Sequence, residues 1–139
     1  MDYHSLYFKV TPLLRFITLN NQEVESLLSQ ISETLEKILS RSENLSSAND
    51  YYLSPSGMER LESTCMLLIA IGESLKGIDK LTNGELLKEF PEVDWKGAKG
   101  LRDIIAHHYF ELDGDIVFDV VKTKLRPMLD AITQMQKME

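Results

Sequence analysis

At 139 residues with 43% hydrophobic side chains, the chain is long enough for one core that buries roughly two-thirds of its unfolded surface, and it needs no covalent staple. Its formal net charge of −7 excludes a broadly basic surface of the kind that holds polyanions by bulk electrostatics, so any contact with a nucleic acid has to be local. The single cysteine, Cys65, has no internal disulfide partner and sits in the apolar run 65–71, the setting of a buried thiol in a reducing compartment.

Residues 1–21 read as an N-terminal extension ahead of one domain over 22–139. Tyr3, Leu6, Tyr7, Val10, Leu13, Leu14 and Ile17 follow helical spacing, whereas Pro12 would kink or break that helix and Thr11 could cap a new one, so an extra helix here stays an open reading. His4 reads as a surface residue. No secretory signal opens the chain, and its longest apolar run is too short to span a bilayer. The expectation is a cytoplasmic protein with no membrane partner.

Over residues 22–42, Val24, Leu27, Leu28, Ile31, Leu35, Ile38 and Leu39 make one apolar stripe, which predicts a long amphipathic helix. The polar run 42–50 predicts a loop. A second helix should start near Ser54 or Ser56, with Pro55 in its first turn, and run to about Lys76. Its apolar residues from Thr64 to Leu75 cover nearly the whole circumference, as expected of a central helix. Gly72 inside it costs roughly 1 kcal/mol against alanine, which points to a close helix crossing. Glu73 beside it needs a cationic partner, for which Arg102 and His107 are the candidates. A structural salt bridge is the favoured role for Glu73, ahead of direct participation in chemistry.

Thr82-Asn83-Gly84-Glu85 has the form of a capping box for a short helix that Pro91 stops. Asp94 then caps a helix along which Trp95, Ala98, Leu101, Ile105, Tyr109 and Leu112 form the apolar side. Asp113-Gly114 ends it. Asp115 is expected to cap the last helix, in which Pro127 bends the axis without ending it. The sum is an all-α fold, an antiparallel bundle of four long helices plus a short one.

Polar chemistry concentrates in residues 100–109, where Arg102, Asp103, His107, His108 and Tyr109 interrupt an apolar helical pattern. Asp103 and His107 are one turn apart, so the carboxylate can orient the imidazole and raise its pKa. Arg102 and Tyr109 share a face. Arg102 and His107 point roughly 140° apart around the axis. They converge only if the arginine reaches around, if the helix deforms near its end, or if a second subunit supplies one of them. Lys96, Lys99 and Arg102 recur every three residues as a basic stripe, with a solvated helical face as the bland alternative. Adjacent histidines point about 100° apart and cannot chelate one ion, and no cysteine–histidine set completes a zinc site, so no metal or other cofactor is expected.

The arrangement Arg-x4-His-x-Tyr at Arg102, His107 and Tyr109, together with residues 71–74, 90–95 and 112–118 in order, resembles the HepT-like toxins of the HEPN superfamily over about residues 22–135. The resemblance implies a homodimeric, metal-independent endoribonuclease, the toxin of a type VII-like toxin–antitoxin pair. Arg102 and His107 would be catalytic, and Asp103, His108 and Glu73 supporting. It also implies a minimal nucleotidyltransferase antitoxin as partner, with Tyr109 as the acceptor of AMP; the same tyrosine also reads as a half-buried core aromatic. The alternative is a non-catalytic helical dimer that holds the nucleotidyltransferase and uses the motif as a structural cluster.

Overall fold

A computed structural model describes residues 21–107 and 113–138, without the side chains of Asn21, Ala106 and His107. The expectations for residues 1–20 lie outside the described residues.

The first helix, α1 (Asn21–Arg41), forms where the stripe of seven apolar residues predicts it. Val24, Leu28, Ile31, Leu35 and Ile38 are all buried, while Leu27 and Leu39 flank the stripe half-buried. Each fully buried aliphatic side chain contributes about 1.5–3 kcal/mol, so this stripe, more than intrinsic helix propensity, holds α1 in place. The following loop contains a single 3-10 turn, Ala48–Tyr51, fastened by Asp50, whose Oδ2 accepts from the backbone nitrogen of Ser46 at 2.7 Å.

Helix α2 (Pro55–Thr82) starts on Ser54, whose hydroxyl accepts from Gly57 N at 3.0 Å, with Pro55 at the first position. It runs six residues past the expected end at Lys76. Gly77 looks like a terminator, yet Ile78 beyond it is fully buried and Asp79 is paired, and this tertiary gain overrides the glycine penalty. The helix ends where Asn83 and Gly84 take left-handed backbone angles (φ 54° and 73°). The hydroxyl of Thr82, the last residue of α2, accepts from Leu86 N at 3.4 Å in the short helix α3 (Glu85–Lys88), whose N-cap is Gly84. Helix α4 (Trp95–His107) follows.

The last long element is continuous but not uniform: α5 (Gly114–Asp119), a π-helical segment at Val120–Lys124, and α6 (Leu125–Gln136). Its cap is Asp113 and not Asp115, because Asp113 Oδ1 accepts from the nitrogens of Asp115 and Ile116 at 3.0 and 3.2 Å. Pro127 explains the π segment. Its ring would collide with the carbonyl of Thr123 in a regular helix, and widening the preceding turn removes that collision. Thr123 Oγ1 donates to the Asp119 carbonyl at 2.8 Å within the same turn.

Helix α1 packs antiparallel to α2 and to the last helical element, and α4 packs antiparallel to α2. Arg41 and Leu27 of α1 lie against Arg60 and Gly77 of α2, α1 also packs along α6, and α4 runs back along α2. Helix α2 is the central one, with α1 and α4 both packed on it, although Met66 and Ala70 leave one strip of it exposed. Among the described residues there is no strand, and no helix is long and apolar enough to cross a membrane.

Cys65 is buried, as expected. Burial, aided by Glu62, pushes its thiol up from 9.0 to about 11, and burial likewise pushes the enclosed Tyr51 hydroxyl up from 10.0 to about 12. Both groups have folded values above their unfolded ones, so the stability they contribute is complete below about pH 9 and is lost as pH rises through about 11 to 12. The native thiol should resist iodoacetamide at neutral pH and react only on unfolding, and the urea midpoint should fall across that alkaline window. Rapid alkylation of the native protein would contradict this.

Candidate functional site

The site is built on the seam between α2 and α4. Helix α4 begins on Asp94, whose Oδ1 accepts from Gly97 N at 2.9 Å, so the predicted cap forms. Trp95 anchors this end. Its ring is buried and its indole nitrogen donates to the Phe90 carbonyl at 2.8 Å, which ties the helix start to the segment after α3. One and two turns on, Ala98 and Leu101 are buried toward the core, which leaves Lys96, Arg102 and Asp103 exposed.

The two helices touch at Gly72. A Cβ there would lie 2.9 Å from the backbone oxygen of Ala98, so only glycine allows this separation. The close crossing expected from a glycine inside a helix is present. Its consequence for the site is direct, because the next residue, Glu73, is carried to the surface of the seam opposite Arg102. Arg102 Nη1 donates to Glu73 Oε1, and Lys76 Nζ stands 3.7 Å from Glu73 Oε2. The Arg102 hydrogen bond, opposed by partial desolvation and reinforced by Lys76, holds the Glu73 carboxyl below the usual carboxylate range.

Of the two candidate partners for Glu73, Arg102 is thus the one observed. The guanidinium is not enclosed by the pairing, since 59% of the Arg102 side chain stays exposed. A second pair, Lys99 with Asp79, lies on the same seam but is more buried, with 28% and 26% of the side chains exposed. The basic stripe therefore divides: Lys96 is exposed, Lys99 is spent on a structural pair, and Arg102 is half-engaged.

Helix α4 carries the backbone of both Arg102 and His107. Asp103 is exposed one turn before His107. The His107 side chain, His108 and Tyr109 lie outside the described residues, and with them the expected Asp103–His107 contact and the expected role of Tyr109. Lys76 was missed in the sequence reading. Its signal was the i, i+3 spacing from Glu73, which is informative only once Glu73 is known to face Arg102. Among the described residues no group of three or more His, Cys, Asp or Glu side chains is placed to hold a metal ion.

Two Methanocaldococcus jannaschii proteins are similar to part of the chain. "Putative RNase MJ0127" is 36% identical over 58 residues, 42% of this chain and 45% of that protein. "Putative RNase MJ1380" is 38% identical over 52 residues, 37% of this chain and 44% of that protein. The chain spans less than half the length of each of these relatives. No solved structure matches. A family model described as ribonuclease HepT-like matches residues 31–135, which takes in most of α1, the Gly72 crossing, the Glu73–Arg102 pair and the whole of α4. On a match that covers most of the chain and every described part of this seam, the protein belongs to the ribonuclease HepT-like family.

Proposed function

We propose that the chain is an endoribonuclease that cleaves RNA without a metal ion, through Arg102 and His107 of α4. The observation that carries this reading is Arg102: a cation held in place by Glu73 yet more than half exposed, on the same helix as a histidine five residues on. A guanidinium buried against Glu73 would have favoured a structural cluster.

The chemistry follows from the residue types. His107 removes the proton of the 2′-hydroxyl; the 2′-oxygen then attacks phosphorus, the bond to the 5′-oxygen breaks, and that oxygen takes a proton from water, whose hydroxide is neutralised by the proton His107 gives up. The products are a cyclic phosphate and a 5′-hydroxyl. Arg102 stabilises the charge that builds on the phosphoryl oxygens, and Asp103 orients the imidazole. His108 is auxiliary. Because Arg102 and His107 diverge around one helix, a twofold homodimer that joins two copies of the motif in one groove completes the site.

The biological setting that fits this chemistry is the toxin of a toxin–antitoxin pair, with a minimal nucleotidyltransferase as antitoxin. AMP on Tyr109 would place a bulky anion near Arg102 and repel an RNA phosphate. The net charge of −7 favours the second reading, an interaction module that only holds the nucleotidyltransferase. Incubation of purified protein with total RNA in EDTA separates the two. Cleavage that leaves cyclic phosphate and 5′-hydroxyl ends, from protein that elutes as a dimer, is the expected result. Intact RNA, from protein shown by mass to carry no AMP on Tyr109, would replace the nuclease by the interaction module.

A further inference from the structure

We propose that Glu73 occupies the place of an RNA phosphate in the free protein, and that Lys76 is a second phosphate-binding cation of the Arg102 site. The inference rests on the ribonuclease reading above and adds a binding residue from a different helix.

The observation is the way one carboxylate is shared. Its Oε1 accepts from Arg102 of α4, and its Oε2 lies 3.7 Å from Lys76 of α2, so two cations from two helices flank one anion. A phosphodiester also presents two oxygens that share one negative charge, and the arrangement that suits the carboxylate suits the phosphodiester. Two cations on one carboxylate leave a local excess of one positive charge in a chain whose net charge is −7. A nucleic-acid contact restricted to a small patch is what such a chain requires.

Exposure separates this cluster from its neighbour. Arg102, Lys76 and Glu73 keep 59%, 48% and 40% of their side chains exposed, so an incoming anion can reach both cations. Lys99 and Asp79 match one to one and are largely covered. Exposed ion pairs are weak, which makes Glu73 displaceable by a phosphate. Until then it keeps Arg102 extended across the seam, in a position fixed by the backbone contact at Gly72. Glu73 is a positioning residue in the free protein and a competitor for substrate.

Competition predicts a sign that a structural salt bridge does not. The test is the affinity of a labelled single-stranded oligouridylate, measured by fluorescence anisotropy across a salt series, with His107→Ala as the parent so that the RNA stays intact. Glu73→Gln should bind RNA about threefold more tightly, since the built-in anion is gone. Lys76→Gln should weaken binding about tenfold and lower the magnitude of the salt slope by about 0.7, the signature of one lost phosphate contact on a single strand. Lys76→Arg should restore most of the affinity. Lys37→Gln, the same charge change on the exposed side of α1, is the control. Equal or weaker binding by folded Glu73→Gln overturns the inference, as does a Lys76→Gln result that matches Lys37→Gln. Absence of RNA binding by the parent also overturns it. Cleavage by the wild-type protein then decides separately whether the ribonuclease reading falls with it.

Discussion

Replacing His107 with alanine is expected to slow RNA cleavage by about 10²–10⁴-fold, the usual contribution of a positioned general acid or base. Arg102→Ala should cost about 10²–10³-fold, because a donor aimed at developing charge on phosphorus is lost. Arg102→Lys should recover only part of that, since an ammonium supplies charge without the planar fork. Asp103→Asn should fall between wild type and His107→Ala and should shift the pH profile to lower pH, as loss of a neighbouring carboxylate lowers an imidazole pKa. Thermal melts accompany each variant. Arg102 and Glu73 are both substantially exposed, so Arg102→Ala should leave the melting curve nearly in place. Wild-type rates in Arg102→Ala and His107→Ala alike would assign the cleavage to a contaminant.

The second large effect concerns Gly72, where fold and site meet. An alanine there gains about 1 kcal/mol of helix propensity. Its Cβ would nevertheless stand 2.9 Å from the Ala98 backbone oxygen, and a backbone atom cannot swing aside as a side-chain end can. Overpacking of this kind costs about 1–3 kcal/mol, so Gly72→Ala should be net destabilising and Gly72→Val more so. Forcing α4 away from α2 also moves Arg102 away from Lys76 across the seam, so the variants should lose cleavage activity at temperatures where they remain folded. Urea denaturation read by Trp95, the only tryptophan and buried beside the start of α4, reports the stability change. A Gly72→Ala protein more stable than wild type would show that the crossing can relax, and the link between helix spacing and the site would fail with it.

Much of the architecture is local and was therefore readable. The α1 stripe, the Asp94 cap, a serine cap with proline at the start of α2 (Ser54, of the two serines the spacing allowed) and the buried Cys65 each depend on residues within a turn or two of one another, or on hydrophobicity alone. The all-α class follows from them. The concentration of Arg102, Asp103, His107, His108 and Tyr109 in one stretch was equally plain, as was the need of Glu73 for a cation.

Much of what the sequence left open depends on contacts between distant segments. Helix α2 passes Gly77 because Ile78 finds a core and Asp79 finds Lys99, neither of which is visible from propensity. The shift of the last cap from Asp115 to Asp113 and the π segment before Pro127 are local, but two nearby aspartates offer the same cap and a proline admits either a bend or a widened turn, so spacing alone does not choose between them. Composition and spacing by themselves determined the all-α class and the gathering of polar side chains in residues 100–109. The tertiary structure alone decided that Arg102 meets Glu73 across the seam, that Lys99 is occupied while Lys76 joins the exposed cluster, and that this seam is set by a glycine contact. The physical reason is that helix periodicity fixes which side chains share a face, whereas which faces meet, and at what distance, is set by the packing of residues some thirty positions apart in the chain.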